Sequence, residues 1–437
     1  MKMKTKSSLL TGIFTLAMIF GTFTLVIGIV YAGSPTFTVT PSGGDDTANI
    51  QKAFNDAIAA GPGSTVQLTP GQFYTNAIIA ENFYGTFRGA GKDLTNIDVL
   101  RGLDPEAPGV DGPYGPYLFT FVGGDVCISD LNFDITPEKP AKEWYDPAPN
   151  YDLLSIILIT GEINSRIENI KCTGHAGTFP PFPYIKTFNV RLGIECNFGT
   201  GKHIITHCDF DSLWGGISAY VLMNAEMKIK SNSFKGGTFG IVNMDNINSK
   251  FEISRNYIHT EFLYGIWVWQ AGIMVTPSLS QWLITHNTLK VSFSADGMGL
   301  IDDLPDKTLE AVVSYNKIVL DDTIFGGIWT AGLRDAFISN NIIRGTGDYG
   351  IGCLFAHNNL ILGNNVQNAD VSWAHIALLR SSECVIVGGS TKTNVLDFMG
   401  TNNLIVGMNN MQGNPPGPEI QEAMEQKKEL LQSFPKF

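Results

Sequence analysis

From about residue 126 onward one short phrase recurs: an apolar residue, two mostly polar residues, usually asparagine, any residue, then an apolar residue. It reads Ile229-Lys-Ser-Asn232-Ser-Phe234, Ile253-Ser-Arg-Asn256-Tyr-Ile258, Ile284-Thr-His-Asn287-Thr-Leu289, Val313-Ser-Tyr-Asn316-Lys-Ile318 and Ile338-Ser-Asn-Asn341-Ile-Ile343. Weaker copies put Leu131, Ile170, Cys208, Asn365, Ser390 and Asn409 in the fourth position, and the steps between fourth positions are 39, 38, 24, 24, 31, 29, 25, 24, 25 and 19. A base period near 24 with insertions is the signature of a solenoid, in which each repeat buries its apolar face only against its neighbours.

A second phrase follows within each period: Gly216-Ile217, Gly240-Ile241, Gly265-Ile266, Gly299-Leu300, Gly327-Ile328, Gly350-Ile351 and His375-Ile376. Each repeat thus holds two or three short apolar runs broken by Asn and Gly, a pattern of strands joined by turns. The physical picture is a parallel β-coil of three strands per turn, each coil pairing with the next across about 4.8 Å. Asparagine at the same turn of successive coils tolerates left-handed dihedrals and can bond along the stack through its amide. That assigns these residues to the scaffold.

The opening segment Asp45-Asp46-Thr47-Ala-Asn-Ile50-Gln-Lys-Ala-Phe54-Asn-Asp-Ala57-Ile58, then Val66-Gln-Leu68-Thr-Pro70-Gly71-Gln-Phe73-Tyr74 and Phe87-Arg-Gly89-Ala-Gly91-Lys92, resembles the pectate-lyase-like superfamily over about residues 38–412. The resemblance implies an all-β chain wound as a single-stranded right-handed parallel β-helix of about 24 residues per coil. It also implies a short N-terminal capping helix, which fits Asp46 as N-cap with Ile50, Phe54, Ala57 and Ile58 on one face. Gly89-Ala-Gly91-Lys92 lacks phosphate-loop spacing: Thr86 stands where a glycine is needed and Asp93 where Ser or Thr is. The polygalacturonase signatures Asn-Thr-Asp, Gly-His-Gly and Arg-Ile-Lys and the pectate-lyase signature Trp-Ile-Asp-His are absent. The nearest strings are Gly174-His175-Ala176 and Arg166-Ile167-Glu168. The resemblance therefore implies a fold and carries no catalytic residue across.

Charge narrows the partners. The net charge of the chain is −12, with 29 basic and 41 acidic residues and no Lys/Arg cluster, which excludes nucleic acid as a partner. Lys2, Lys4 and Lys6 precede an uncharged apolar run from Leu9 to Ala32 that ends Val30-Tyr31-Ala32-Gly33. Residues 1–32 read as a signal peptide or an uncleaved membrane anchor, and either places residues 33–412, the β-helix domain, outside the cytoplasm as a secreted or cell-surface protein. The tail, 413–437, carries an amphipathic helix over Pro418–Leu431, expected to dock on the coil or cap its end. The six cysteines sit in core-like surroundings without metal-site spacing and read as lone buried thiols.

Chemistry in such a coil belongs to outward strand positions and to loops that break the period. The insertions after Phe133 and Cys172 carry Trp144 and Tyr184 among prolines, as a sugar-binding groove or as packing onto the coil. If Ile266 points inward, alternation turns Trp267 and Trp269 outward, with Tyr220 and Trp329 in the same strip and Asp303 beside them. The strip is either a binding face for sugar or is covered by the loops above, and Val242, Met244 and Leu354 favour partial covering. Glycoside hydrolysis by inversion needs two carboxyls about 6.5–9.5 Å apart, which coils one or two steps apart provide. Asp303 with Asp245 or with Asp322 satisfies this, whereas Glu195 lies about 19 Å from Asp303 at four coils. Asp302 faces inward, where it satisfies a turn. A lyase would need a base beside a uronate, from Arg334, Arg380, His375 or Lys230, and only that activity calls for Ca²⁺. Arg334 beside Asp335 reads as an ion pair. The expectation is an extracellular polysaccharide-active protein, a glycoside hydrolase or polysaccharide lyase. A non-catalytic carbohydrate-binding, adhesion or structural β-helix protein, or a sugar epimerase, is the alternative.

Overall fold

The computed structural model describes residues 34–103, 110, 113–137, 152–179, 182–272, 278–292, 296–321, 323, 325–367, 371–388, 394–406 and 409–412. Residues 1–32 and 413–437, and with them the N-terminal targeting segment and the C-terminal helix, lie outside the described residues, as do Trp144, Asp322 and the side chain of Tyr184. Among the described residues, nearly every strand pairs in parallel with strands one coil before and one coil after it. One coil shows the plan: Gly215–Tyr220, then Glu226–Lys230, then Ser233–Met244, which bends and continues into the next coil. Three parallel sheets result. Sheet I carries the strand before the asparagine turn, sheet II the strand after it, and sheet III the glycine–isoleucine strand. Sheet III keeps its register through Ile157, Ile194, Ile217, Ile241, Ile266, Met298, Ile328, Ile351 and Ile376, all at the interior.

The turn between sheets I and II depends on the asparagines. Asn232, Asn256, Asn287, Asn316, Asn341 and Asn364 are buried, and each of the first five donates from Nδ2 to Oδ1 of the next at 2.9–3.1 Å. The same Oδ1 accepts the backbone N–H one coil earlier, from Cys208 through Asn341, and each Nδ2 also donates to a strand carbonyl such as Ile253 O. Two expectations are corrected. The left-handed dihedral belongs to the residue before each ladder asparagine: Ser231, Arg255, His286, Tyr315, Asn340 and Gly363 have φ between 52° and 61°. The ladder residue of the next coil is Asn364, since Asn365 opens the following sheet II strand and Asn409 lies in sheet III. The Asn341–Asn364 step puts the amide in line with its neighbours, and the Leu131, Ile170 and Cys208 coils fill the same turn with buried apolar side chains.

Helix α1 (Thr47–Ala60) seals one end of the interior. Phe54 is fully buried and meets Phe83, Phe87 and Phe121 at ring-centroid distances of 5.3, 5.1 and 5.8 Å. Asp46 does stand at the N-cap, but its carboxylate accepts from Ser42 N and Tyr74 N, tying the helix start to the first coil; Asp45 Oδ1 takes Thr47 N. The cysteines are free, five of them buried and Cys127 half-buried, and burial pushes the Cys208 and Cys353 thiols up to about 12. After Cys172 the chain leaves the coil as an antiparallel hairpin, Ala176–Phe179 with Phe182–Phe188. Asn287→Ala removes bonds to Ile253 O and Asn316 Oδ1 and strips Asn256 N of its acceptor. It should cost about 3 kcal/mol in denaturant unfolding, against about 0.5 kcal/mol or less for the exposed Lys317→Ala. Equal losses would show that the ladder is not what holds this turn.

Candidate functional site

Sheet III presents two outward rows. One runs Glu195, Ser218, Val242, Trp267, Gly299, Trp329, Gly352 and Ala377, and the next runs Asn197, Tyr220, Met244, Trp269, Ile301, Ala331, Leu354 and Leu379. Outward alternation thus holds as the sequence predicts, but most of the first row is covered. Trp267 is fully buried, stacked with Phe239 at 5.1 Å, Tyr264 at 5.8 Å and Trp269 at 5.3 Å; Trp329 is 3% exposed and lies 5.5 Å from the Tyr349 ring. Glycine makes room for these rings: a Cβ on Gly299 would sit 2.5 Å from Tyr264 and one on Gly352 2.6 Å from Trp329. The expected ligand role of Trp267 and Trp329 is therefore corrected. They form satellite cores on the outside of the coil, because six or more large rings on adjacent coils bury each other better than a solvated strip would.

In the second row Met244, Ile301 and Leu379 are buried as well, and what remains partly open is Tyr220, Trp269 and the corner where sheet III turns toward sheet I. Tyr220 and Trp269 are half-buried there. The residue after the outward row takes a left-handed dihedral in several coils: Phe198 (φ 47°), Phe355 (φ 53°), Arg380 (φ 51°) and Met399 (φ 56°). Phe198 is 46%, Phe355 52% and Met399 63% exposed, whereas Val221 (φ 53°) and Asp245 (φ 49°), at the same bend in the intervening coils, are buried. The Arg380 guanidinium lies 5.8 Å from the Phe355 ring centre. The result is an aromatic track with Asp303 near its middle. Sequence reasoning missed Phe198 and Phe355 and named Arg380 only as a possible lyase base; the signal available was their recurrence one residue after the outward row.

Asp303 is the carboxylate of this track. The Trp269 indole N–H donates to its Oδ2 at 2.7 Å. Although the residue is exposed overall, partial desolvation of the carboxylate raises its pKa from the ordinary aspartate value; the Trp269 bond opposes this and Asp302 adds to it. Asp245 stands two coils away, about 10 Å along the stack. It is fully buried, and its Oδ1 accepts the backbone N–H of Ala271 and Gly272, each at 2.8 Å. Asp302 is spent on a turn as expected, accepting from Thr308 N, Thr308 Oγ1 and Leu309 N. Asp296 is buried too, accepting from Gly326 N and Tyr349 O–H.

The cationic candidates do not converge. Arg334 lies at the corner beyond Ala331 and donates to Pro305 O, while Asp335, its expected partner, instead takes Lys307 at 3.1 Å and Asn358 at 2.6 Å. His375, whose Nδ1 accepts Asn394 N at 3.1 Å, precedes Ile376 toward the opposite edge of sheet III. Lys230 pairs with Glu252 on sheet I. No group of His, Cys, Asp and Glu able to hold a metal ion occurs among the described residues.

No protein-family model matches the chain, and no curated protein is significantly similar to it. Solved structures are similar in fold. The catalytic unit of a thermostable GH87 α-1,3-glucanase from Streptomyces thermodiastaticus strain HF3-3 matches with TM-score 0.54 at 13% identity, over 88% of this chain and 69% of that one. DFA-IIIase from Arthrobacter chlorophenolicus A6, in complex with GF2, matches with TM-score 0.53 at 11% identity, over 81% of this chain and 93% of that one. The chain has the right-handed parallel β-helix fold of the pectate-lyase-like proteins. In this β-helix the raised Asp303 favours folding most when protonated, and that contribution is lost as pH rises through its raised pKa. Trp269→Phe removes the bond that favours the ionised form, so a carboxyl NMR titration should show the Asp303 midpoint moving further up. An unchanged or lower midpoint would mean the indole bond does not control this group.

Proposed function

We propose that this protein is an extracellular polysaccharide-active β-helix protein that lays a glycan along the track from Phe198 through Tyr220 and Trp269 to Phe355, and that Asp303 serves it as general acid. One observation carries the reading: a carboxyl with a raised pKa, held by the N–H of the half-buried Trp269, sits at the corner of the coil between the exposed Phe198 and Phe355. Half-buried aromatic faces suit the C–H patches of sugar rings, and a carboxyl that keeps its proton to higher pH can protonate a leaving glycosidic oxygen. The glucanase and DFA-IIIase that share the fold support a carbohydrate substrate. Residues 1–32 carry the protein out of the cytoplasm in this reading. Hydrolysis by inversion also requires a carboxylate to activate water. Asp245, buried and bonded to two amides, is poorly placed for that, and this observation favours the second reading, a non-catalytic glycan-binding protein.

The purified protein, assayed on neutral and acidic polysaccharides with and without a calcium chelator, should release reducing ends without unsaturated-uronate absorbance. Asp303→Asn should lower the rate at least about 100-fold while leaving glycan affinity nearly unchanged. Unsaturated products would move the chemistry to a lyase and to Arg334 or His375. Glycan binding without product would leave the non-catalytic reading, and the absence of both would end the carbohydrate assignment.

A further inference from the structure

The outward face of sheet I changes character along the stack. One outward row runs Lys228, Glu252, Leu283, Val312, Phe337, Leu360, Val385 and Leu404, one residue per coil. Its first two members are charged and paired, Lys228 with Glu226 and Glu252 with Lys230. The six that follow are apolar; Leu283, Leu360 and Leu404 are 41%, 37% and 54% exposed, and the other three are half-buried. In the last three coils the next outward row is apolar too, through Leu362, Val387 and Val406. The strands there read Leu360-Ile361-Leu362, Val385-Ile386-Val387 and Leu404-Ile405-Val406, with no polar residue on either face. Continuous apolar strands belong to sheets covered on both faces, yet among the described residues this face lies open.

Size and chain path together select what fits this face. Five coil steps span about 24 Å and the two rows lie about 7 Å apart, a strip of a few hundred square ångströms. A stable contact between two folded proteins takes about 800 Å² from each, more than the strip offers. One helix about 21 Å long and about 10 Å across, the size of Pro418–Leu431 in helical form, matches it. The chain also arrives at the right place. Thr330, Cys353, Leu378 and Asp397 register on one another in sheet III, and each lies seven residues before its row member, Phe337, Leu360, Val385 and Leu404. Gln412 registers on Asp397, so the same path carried one coil further brings Glu419 to the row beside Leu404. Pro415, Pro416 and Pro418 lack the N–H groups that a further sheet I strand would need. On a helix, Ile420, Ala423, Met424 and Leu431 fall within an arc of about 100°, with Glu422, Glu425 and Glu429 opposite. Lys427 shares the apolar arc, and its stem is long enough to lie on the strip while the ammonium reaches water.

We propose that the apolar strip of sheet I is the docking site of this chain's own segment Pro418–Leu431, which lies on it as a helix running from Leu404 toward Leu283. Four residues of helix rise about 6 Å against about 4.8 Å per coil. With Ile420 on Leu404, Met424 therefore meets Val385 and Leu360, and Leu431 meets Phe337. The docked segment covers the second face of strands whose sequence is apolar on both, and it masks a surface on which copies of the chain would otherwise associate. The carbohydrate reading above is independent of this assignment.

The test places a photoreactive benzophenone side chain in place of Met424 in the purified protein and maps its cross-links by mass spectrometry. Cross-links within one molecule, to peptides carrying Phe337, Leu360 or Val385, are expected. The same group in place of Glu425, on the opposite face of the helix, should give a several-fold lower yield to those peptides. Met424→Asp should uncover the strip, so that binding of a hydrophobic dye rises several-fold and the melting temperature falls, while Glu425→Ala leaves both unchanged. Cross-links confined to Asn409–Gln412 would make the segment an end cap, and cross-links only between molecules would make the strip an interface between copies. No cross-link to the strip, with strong dye binding already in the unaltered protein, would leave the strip bare. Each of these three results overturns the proposal.

Discussion

A parallel β-coil depends on what happens at its tightest corner. Along the strands, N–H and C=O groups find partners in the coils above and below, but at a two-residue bend the backbone turns away from the ladder. Here the Asn232–Asn364 series supplies the missing acceptor, one amide oxygen per coil taking both a backbone N–H and the preceding side-chain N–H. Each amide is held in place by its neighbours, so the ladder sets the coil stacking that every outward row inherits. The positions of Tyr220, Trp269 and Asp303 follow from it.

The outer face of sheet III shows a second constraint. Aromatic residues on successive coils lie close enough to stack, and a row of them has a choice between water and one another. Phe239, Tyr264 and Trp267 resolve it by mutual burial, with glycine at position 299 clearing the space beside Tyr264. Toward the corner Met244, Ile301 and Leu379 pack as well, while Tyr220 and Trp269 stay half-buried and Phe198, Phe355 and Met399 exposed. Which of these residues meet solvent is decided by their neighbours and not by the bend, since Val221 and Asp245 share it and are buried.

Electrostatics follows the same division. Glu195, Asp245 and Asp296 face outward or lie at strand ends, but are covered and engaged by amides, hydroxyls or both. Asp303 alone among the carboxylates that the strip brings together is exposed, and its single bond from Trp269 leaves it free to exchange a proton with a ligand. This difference in burial separates scaffold carboxylates from a chemical one more clearly than their positions in the repeat do.

The sequence by itself determined the coil: the 24-residue period, the three strands per turn, the inward isoleucine row, the asparagine ladder and the outward direction of Trp267, Trp269 and Asp303. These follow from local periodicity, which the strand geometry converts directly into facing. It left the ladder one residue out at Asn364 because two adjacent asparagines fit the phrase equally well, and only inter-coil bonds choose between them. Tertiary structure decided which outward residues meet solvent. Burial of Trp267 and Asp245 and the diversion of Asp335 to Lys307 depend on contacts between coils. A period records where a side chain points; the neighbours it meets there come from other coils and loops, and no single repeat encodes them.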